Sequence, residues 1–238
     1  MSEAPITTSW TTFPTRGGTM DAYVATPPAG KGPGLLLLQE IFGVNPHIRG
    51  VAEQYALAGF TVIAPDLFWR QGKRIELGYV GDERERALAL MKTIARDDVV
   101  ADMNASLTAL KAHAAFAGKV GAIGYCMGGR LAFTAAALCG VDAAVAYYGG
   151  GIAGQLDLAT QIRCPIQFHH AGQDTGITPD NVASIRAAMA ASPAARDAEF
   201  HDYPGAQHGF NCWARATYHP PSATLALGRS LAFLSSLY

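Results

Sequence analysis

Residues 119 to 129 read Lys-Val-Gly-Ala-Ile-Gly-Tyr-Cys-Met-Gly-Gly, a short apolar run that passes into Gly124-x-Cys126-x-Gly128 and then into a helical pattern. A nucleophile held on a sharp strand-to-helix turn projects its side chain clear of the sheet, and only glycine fits the flanking positions across such a turn. Gly124, Gly128 and Gly129 supply that room around the Cys126 sulfur. A helix that begins just after Cys126 also aims unpaired N–H groups and a positive dipole end at the same place, which favours a thiolate and an oxyanion formed beside it. The chemistry implied is nucleophilic attack by sulfur. Taken alone, the segment fits equally a buried cysteine on a glycine-rich turn, since cysteine is often simply core.

A nucleophile needs a base and a group to orient that base. Two downstream segments place such residues at strand exits. Asp174 lies in Ala171-Gly-Gln-Asp174-Thr-Gly-Ile-Thr-Pro179, and His208 lies in Tyr203-Pro-Gly-Ala-Gln-His208-Gly-Phe210. Each has an ordinary alternative: Asp174 as a cap for the helix starting near Pro179, and His208 as a loop histidine bonded to backbone. Their order, Cys126 then Asp174 then His208, is the nucleophile, acid, histidine order of the α/β-hydrolases. A third segment, Gln39-Glu40-Ile41-Phe42-Gly43-Val44-Asn45, directly follows an apolar strand. In an α/β-hydrolase that loop donates the second oxyanion N–H, so the backbone amides of Ile41 and Met127 form the expected pair. Glu40 reads either as a surface ion-pair acid or as a carboxylate facing the thiol, where like charge would oppose thiolate formation.

The elements that must position these groups alternate along the chain. Strands are expected over 20–25, 34–38, 61–64, 120–123, 143–147, 166–169 and 198–202, several of them continuously apolar as where both sheet faces are covered. Helices are expected near 46–58, 82–95, 97–115, 128–138, 179–191 and 222–236, with Asp97, Pro179 and Ser222 near their starts. The reading is an α/β fold with a mainly parallel central sheet and helices on both faces. With 238 residues, half of them hydrophobic, and no linker or repeat, one domain over 1–238 is expected. The formal net charge is −1 with no basic stripe, which argues against nucleic acid and an anionic membrane surface as partners. The N-terminal Met-Ser-Glu-Ala-Pro-Ile-Thr-Thr lacks a basic region followed by an apolar run, and no stretch approaches a membrane span, so a cytoplasmic protein is expected. Cys126, Cys139, Cys164 and Cys212 lack CxxC spacing and read as reduced thiols.

Together these segments resemble the dienelactone hydrolases. The resemblance rests on 39–45, Ala64-Pro65-Asp66-Leu67-Phe68, 124–129, Tyr147-Tyr148-Gly149, Gly172-Gln173-Asp174 and His208-Gly209-Phe210. It covers most of the chain and implies an α/β-hydrolase fold, Cys126 as nucleophile, His208 as base, Asp174 as its orienting partner and a monomer. It also implies a switching role for Glu40, which pairs with the resting thiol and is displaced when substrate binds. Family members that act on dienelactone hold its carboxylate with two arginines. Arg86, in Asp82-Glu-Arg-Glu-Arg86, matches the first, whereas Cys212 stands where the second would fall, with Arg215 three residues on. Leu90 and Thr93 replace the family's aromatic residues, so the substrate fit is expected to differ. Arg86 reads either as a substrate contact or as a helix-surface charge beside the acids at 82, 83 and 85.

Tyr125 and Trp213 are placed to line a substrate site, although Phe42, Phe68, Trp69 and other aromatics are core by default. The adjacent His169 and His170 point to opposite strand faces, so no metal and no cofactor is expected. The expected activity is hydrolysis of a small ester or lactone through a thioester on Cys126. A carboxylesterase for other activated esters and a non-catalytic, redox-responsive protein are the alternatives, the second requiring a thiol ionised without substrate.

Overall fold

A computed structural model describes residues 6–238; residues 1–5, part of the stretch read for a leader, lie outside it. The described residues fall into two compact units, one running to Gly121 and including Leu237–Tyr238, the other Ala122–Ser236.

In the first unit β1 (Thr7–Thr15) and β2 (Gly18–Thr26) form an antiparallel hairpin, turned at Gly17 with φ +87°. Trp10 faces Tyr23 across it, ring edge to ring face at 5.5 Å. β3 (Gly32–Leu38) and β4 (Thr61–Pro65) pair in parallel and are buried along their whole length, as their unbroken apolar runs require. The strand order is β1-β2-β4-β3 followed by the first part of β5 (Phe116–Tyr125). Asn45 caps α1 (Pro46–Leu57) by accepting from the Ile48 N–H at 3.2 Å, and Pro46 occupies the first turn, where a missing N–H costs nothing. α2 (Gly81–Lys92) is largely exposed, while α3 (Arg96–Ala112) buries Val99, Met103, Leu107 and Leu110 at helical spacing.

In the second unit the end of β5 is followed by α4 (Met127–Leu138), β6 (Ala143–Tyr147), β7 (Ile166–Ala171), α5 (Pro179–Ala190), β8 (Ala198–Tyr203) and α6 (Pro220–Leu234). Strand order is β5-β6-β7-β8, with β6, β7 and β8 parallel. The fold is therefore α/β with mainly parallel strands. Thr178 and Asn181 close a reciprocal capping box at the start of α5.

One local expectation needs correction, and two helix starts gain detail. β1 was not expected as a strand; only Phe13 of it is buried, so it carries no continuous apolar signal. Asp97 lies in the first turn of α3, near its start as expected, with Ala95 at the cap. Ser222 lies inside the first turn of α6, where its hydroxyl meets His219 Nδ1 at 2.8 Å. No helix among the described residues is long and apolar enough to cross a membrane.

Candidate active site

The turn between β5 and α4 has the shape that its glycines foretell. Cys126 holds φ +56° and ψ −116°, a conformation non-glycine residues rarely adopt and one that costs of the order of 1–3 kcal/mol. The turn is held from both sides: the Cys126 N–H donates to the Tyr147 carbonyl at 3.1 Å, and its carbonyl accepts from the Gly129 and Arg130 N–H groups at 3.0 and 3.2 Å. A Cβ on Gly124 would overlap the Gly128 carbonyl, and one on Gly129 would overlap the Tyr147 carbonyl and stand 3.0 Å from Gly149 Cα. Glycine is needed here for close backbone approach, not for a left-handed φ. Met127 is the first residue of α4, so its N–H has no intrahelical acceptor.

Asp174 and His208 meet on the loops after β7 and β8. His208 Nδ1 lies 2.6 Å from Asp174 Oδ2, and the Asp174 side chain is almost wholly buried. The other carboxylate oxygen, Oδ1, accepts from the Gly176 and Ile177 N–H groups at 2.8 and 3.1 Å, which locks its orientation. Burial pushes the Asp174 carboxyl up, but the hydrogen bond and charge of His208 and these two amides outweigh it and hold the group below 3.8. Burial would push the His208 ring down, yet its hydrogen bonds to Asp174 and to the Cys126 sulfur raise it to about 10. The ring therefore holds a proton between a carboxylate and a sulfur, an arrangement that can pass that proton to a leaving group and take one back from water.

Two further residues complete this surrounding. Tyr148, at φ +35° just past β6, sets its ring edge-on to His208 at 5.1 Å and against Phe210 at 5.3 Å. Its position after a buried strand was the signal in the sequence, but nothing in the residue type announces a strained backbone. Gly209 has φ +80°, and a Cβ there would collide with the Arg215 guanidinium. Arg215 thus packs on the backbone next to His208.

Of the other expected residues, Tyr125 is buried, its ring 4.6 Å from that of Tyr147, while Trp213 is 45% exposed. In the first unit Glu40 and Ile41 follow the end of β3, both buried. Arg86 is exposed on α2 and forms no ion pair with the acids at 82, 83 and 85. His169 is stacked on Tyr147 at 4.2 Å and its ring nitrogens meet Tyr203 Oη and Gln167 Oε1, both at 2.8 Å. His170 lies on the opposite face with Phe168 and Phe200. Burial pushes both rings down, His169 well below 6.5 and His170 to about 4, although the Asp202 carboxylate 3.7 Å away pulls His170 up.

Comparison with known proteins identifies relatives of the whole chain. The sequence profile described as the dienelactone hydrolase family matches residues 20–238. Carboxymethylenebutenolidase 1 of Cupriavidus pinatubonensis is 33% identical over 222 residues, which is 93% of each chain. A carboxymethylenebutenolidase of a Pseudomonas strain is 34% identical over 93% of this chain and 92% of its own. Among solved structures, a Klebsiella pneumoniae chain assigned to the dienelactone hydrolases superposes with a TM-score of 0.87 at 32% identity, covering 97% and 98% of the two chains. A Pyrococcus furiosus esterase, at 15% identity and a TM-score of 0.72 over 98% of this chain and 93% of its own, shares the fold.

Proposed function

The chain belongs to the dienelactone hydrolase family, with the α/β-hydrolase fold and hydrolysis of ester or lactone bonds as its chemistry, and from that premise we propose a thioester route through Cys126, His208 and Asp174. The observation that carries the proposal is the His208 ring, hydrogen-bonded to a buried, oriented carboxylate and to the Cys126 sulfur on its strained turn. The sulfur attacks the carbonyl carbon as thiolate, and the carbonyl oxygen takes the electron pair. That oxyanion accepts from the Met127 N–H at the α4 N-terminus and from the Ile41 N–H after β3. Collapse expels the alcohol or enolate oxygen, protonated by His208 where it is basic, and leaves an acyl thioester. With the sulfur acylated, the ring loses a partner that raised it and gives its proton to the departing oxygen or to solvent; the neutral His208 then takes a proton from water, the hydroxide adds to the thioester, the thiolate leaves, and the carboxylic acid formed releases its proton to solvent as the carboxylate. Asp174 holds the ring in one orientation and balances its charge throughout.

Glu40 is proposed as the gate that restrains the thiol until substrate arrives, by resemblance to the family. Arg86, an exposed guanidinium with no ion pair among the described residues, is the candidate contact for a substrate carboxylate, with Trp213 as a candidate wall; Tyr125, 1% exposed and packed on Tyr147, offers no surface for that part. The substrate class is a lactone or activated ester whose leaving group is a weakly basic enolate or phenolate, which suits a thiolate nucleophile.

The test is steady-state hydrolysis of cis-dienelactone, trans-dienelactone and an activated aryl ester by the wild type and Cys126→Ala. Turnover that falls at least about 10³-fold in the variant supports the thioester route, on the scale seen when a triad member is removed. Undiminished turnover in Cys126→Ala would refute it.

A further inference from the structure

The first unit contains a buried carboxylate that the proposed chemistry does not use. Asp66, just past β4, is 1% exposed. Its Oδ2 accepts from the Arg74 N–H at 2.6 Å and its Oδ1 from the Phe68 N–H at 3.3 Å, so one side chain closes the loop from 66 to 74. Arg74 is clasped further: its Nε donates to Asp21 Oδ2 at 2.6 Å, its guanidinium covers the Trp10 ring at 4.2 Å, and its backbone sits at φ +51°.

Beyond Arg74 the chain runs along the segment after β3. The Ile75 carbonyl fills the space a Cβ on Gly43 would need, Gly43 being at φ +81°. The Leu77 N–H donates to the Phe42 carbonyl at 3.0 Å, and Asn45 Nδ2 donates to Tyr79 Oη at 2.9 Å. The Tyr79 ring meets Phe42 edge-on at 4.6 Å, and Arg49 bridges Glu76 to the Val44 carbonyl. At the near end the Leu67 N–H, next to Asp66, donates to Gln39 Oε1 at 3.2 Å. Residues 67–79 therefore hold the 39–45 segment at both ends, and Asp66 anchors the holder.

We propose that Asp66 is a positioning residue: through Arg74 it sets the 75–79 strap, and through the strap the backbone around Ile41. The inference rests on the reading of the Ile41 N–H as an oxyanion donor. Oxyanion donors act by being fixed before the charge appears, so a small displacement of the peptide lowers the rate without lowering ground-state affinity. A buried carboxylate is an expensive loop closure unless both oxygens are used, and here both are. Burial and the nearby Asp21 charge push the Asp66 carboxyl up to about 6, against the pull of the Arg74 and Phe68 amides and the Arg74 charge. The charged groups facing it are Asp21 from β2 and Arg74 from its own loop, with Lys73 3.2 Å from Asp21. Protonation turns one acceptor oxygen into a hydroxyl and releases an amide, so the strap loosens as pH falls through about 6.

The experiment compares the wild type with Asp66→Asn and Tyr79→Phe in hydrolysis of p-nitrophenyl acetate from pH 5 to 8, with amide NMR shifts of residues 41–45 measured alongside. Asp66→Asn is expected to lower kcat about tenfold or more with KM within about twofold, to lose the acid limb near pH 6 and to shift the 41–45 amides. Tyr79→Phe removes the far tie, so a smaller kcat loss with the limb retained is expected, and it stands in if Asp66→Asn does not fold. Unmoved amides and an unchanged kcat in both variants overturn the proposal. Moved amides with unchanged kcat keep the strap but refute Ile41 as an oxyanion donor, while loss of the Cys126 requirement in the earlier test refutes the thioester route alone.

Discussion

His208 is bonded on one side to an oriented carboxylate and on the other to sulfur, and this sets its charge. Burial alone would push the ring down; its hydrogen bonds to Asp174 and to the Cys126 sulfur instead hold it up, to about 10. The proton needed by a basic leaving group is then in place before substrate binds. NMR of the His208 ring nitrogens should therefore show no titration between pH 5 and 8 in the wild type. Asp174→Asn removes the charge that, with Cys126, reverses the effect of burial; the ring should then titrate below pH 8, and kcat should fall by about 10²–10⁴. A wild-type inflection near 6.5 would contradict the pairing. That Cys126, Asp174 and His208 come together was legible in the sequence because each stands at a strand exit in a glycine-containing turn. Tyr148 and Asp66 stood only within the motifs that carry the resemblance, without a part of their own, because what they do arises from backbone strain and from a loop that closes on itself, neither of which residue type encodes.

At the scale of elements, the β5–α4 turn depends on the absence of a side chain where backbone passes close. Gly124→Ala would force a methyl into the Gly128 carbonyl, so the turn must open, with a loss of about 1–3 kcal/mol or more and a fall in kcat as Cys126 moves. Gly228 provides the contrast: it lies inside α6 with nothing within 4 Å of an added Cβ, so Gly228→Ala should stabilise by roughly 0.5–1 kcal/mol. Urea midpoints of the two variants decide the matter; equal effects would mean that the close approach at Gly124 is not what requires glycine. The same reasoning explains which elements could be read. β3, β4 and β6 are buried throughout and announce themselves as apolar runs, and α1 and α3 bury one stripe at helical spacing. β1 is a Thr-rich edge strand held by its register with β2, and the short helical turns at Ile152–Gly154 and Leu156–Gln161 span too few residues to show a period. β5 begins at Phe116, earlier than its apolar stretch, because its first residues are exposed or half-buried.

For the whole molecule, buried titratable groups make stability depend on pH in two directions. His169 and His170 are held neutral in the fold, His170 down to about 4, so the stability they confer is complete above 6.5 and is lost as pH falls. Asp66 acts in the opposite sense: its folded value near 6 lies above its unfolded one, so its charge costs stability above 6 and that cost vanishes on acidification. For His170 and Asp66 the displacement is about 3 kcal/mol each at 1.36 kcal/mol per pH unit. Near pH 5 His169, His170 and, to a smaller extent, His201 take up protons on unfolding while Asp66 gives one up, so stability should rise with pH toward 6.5. His208, raised to about 10, stabilises fully below 6.5 and loses that contribution as pH climbs, which closes the profile on the alkaline side. Urea unfolding from pH 4.5 to 9 should therefore give a maximum near 6.5. These histidines belong to the unit from Ala122 to Ser236 and Asp66 to the other. If the units unfold in separate steps, the second unit should weaken on acidification from 6.5 while the first strengthens, and a common slope for both transitions would refute this allocation of protons.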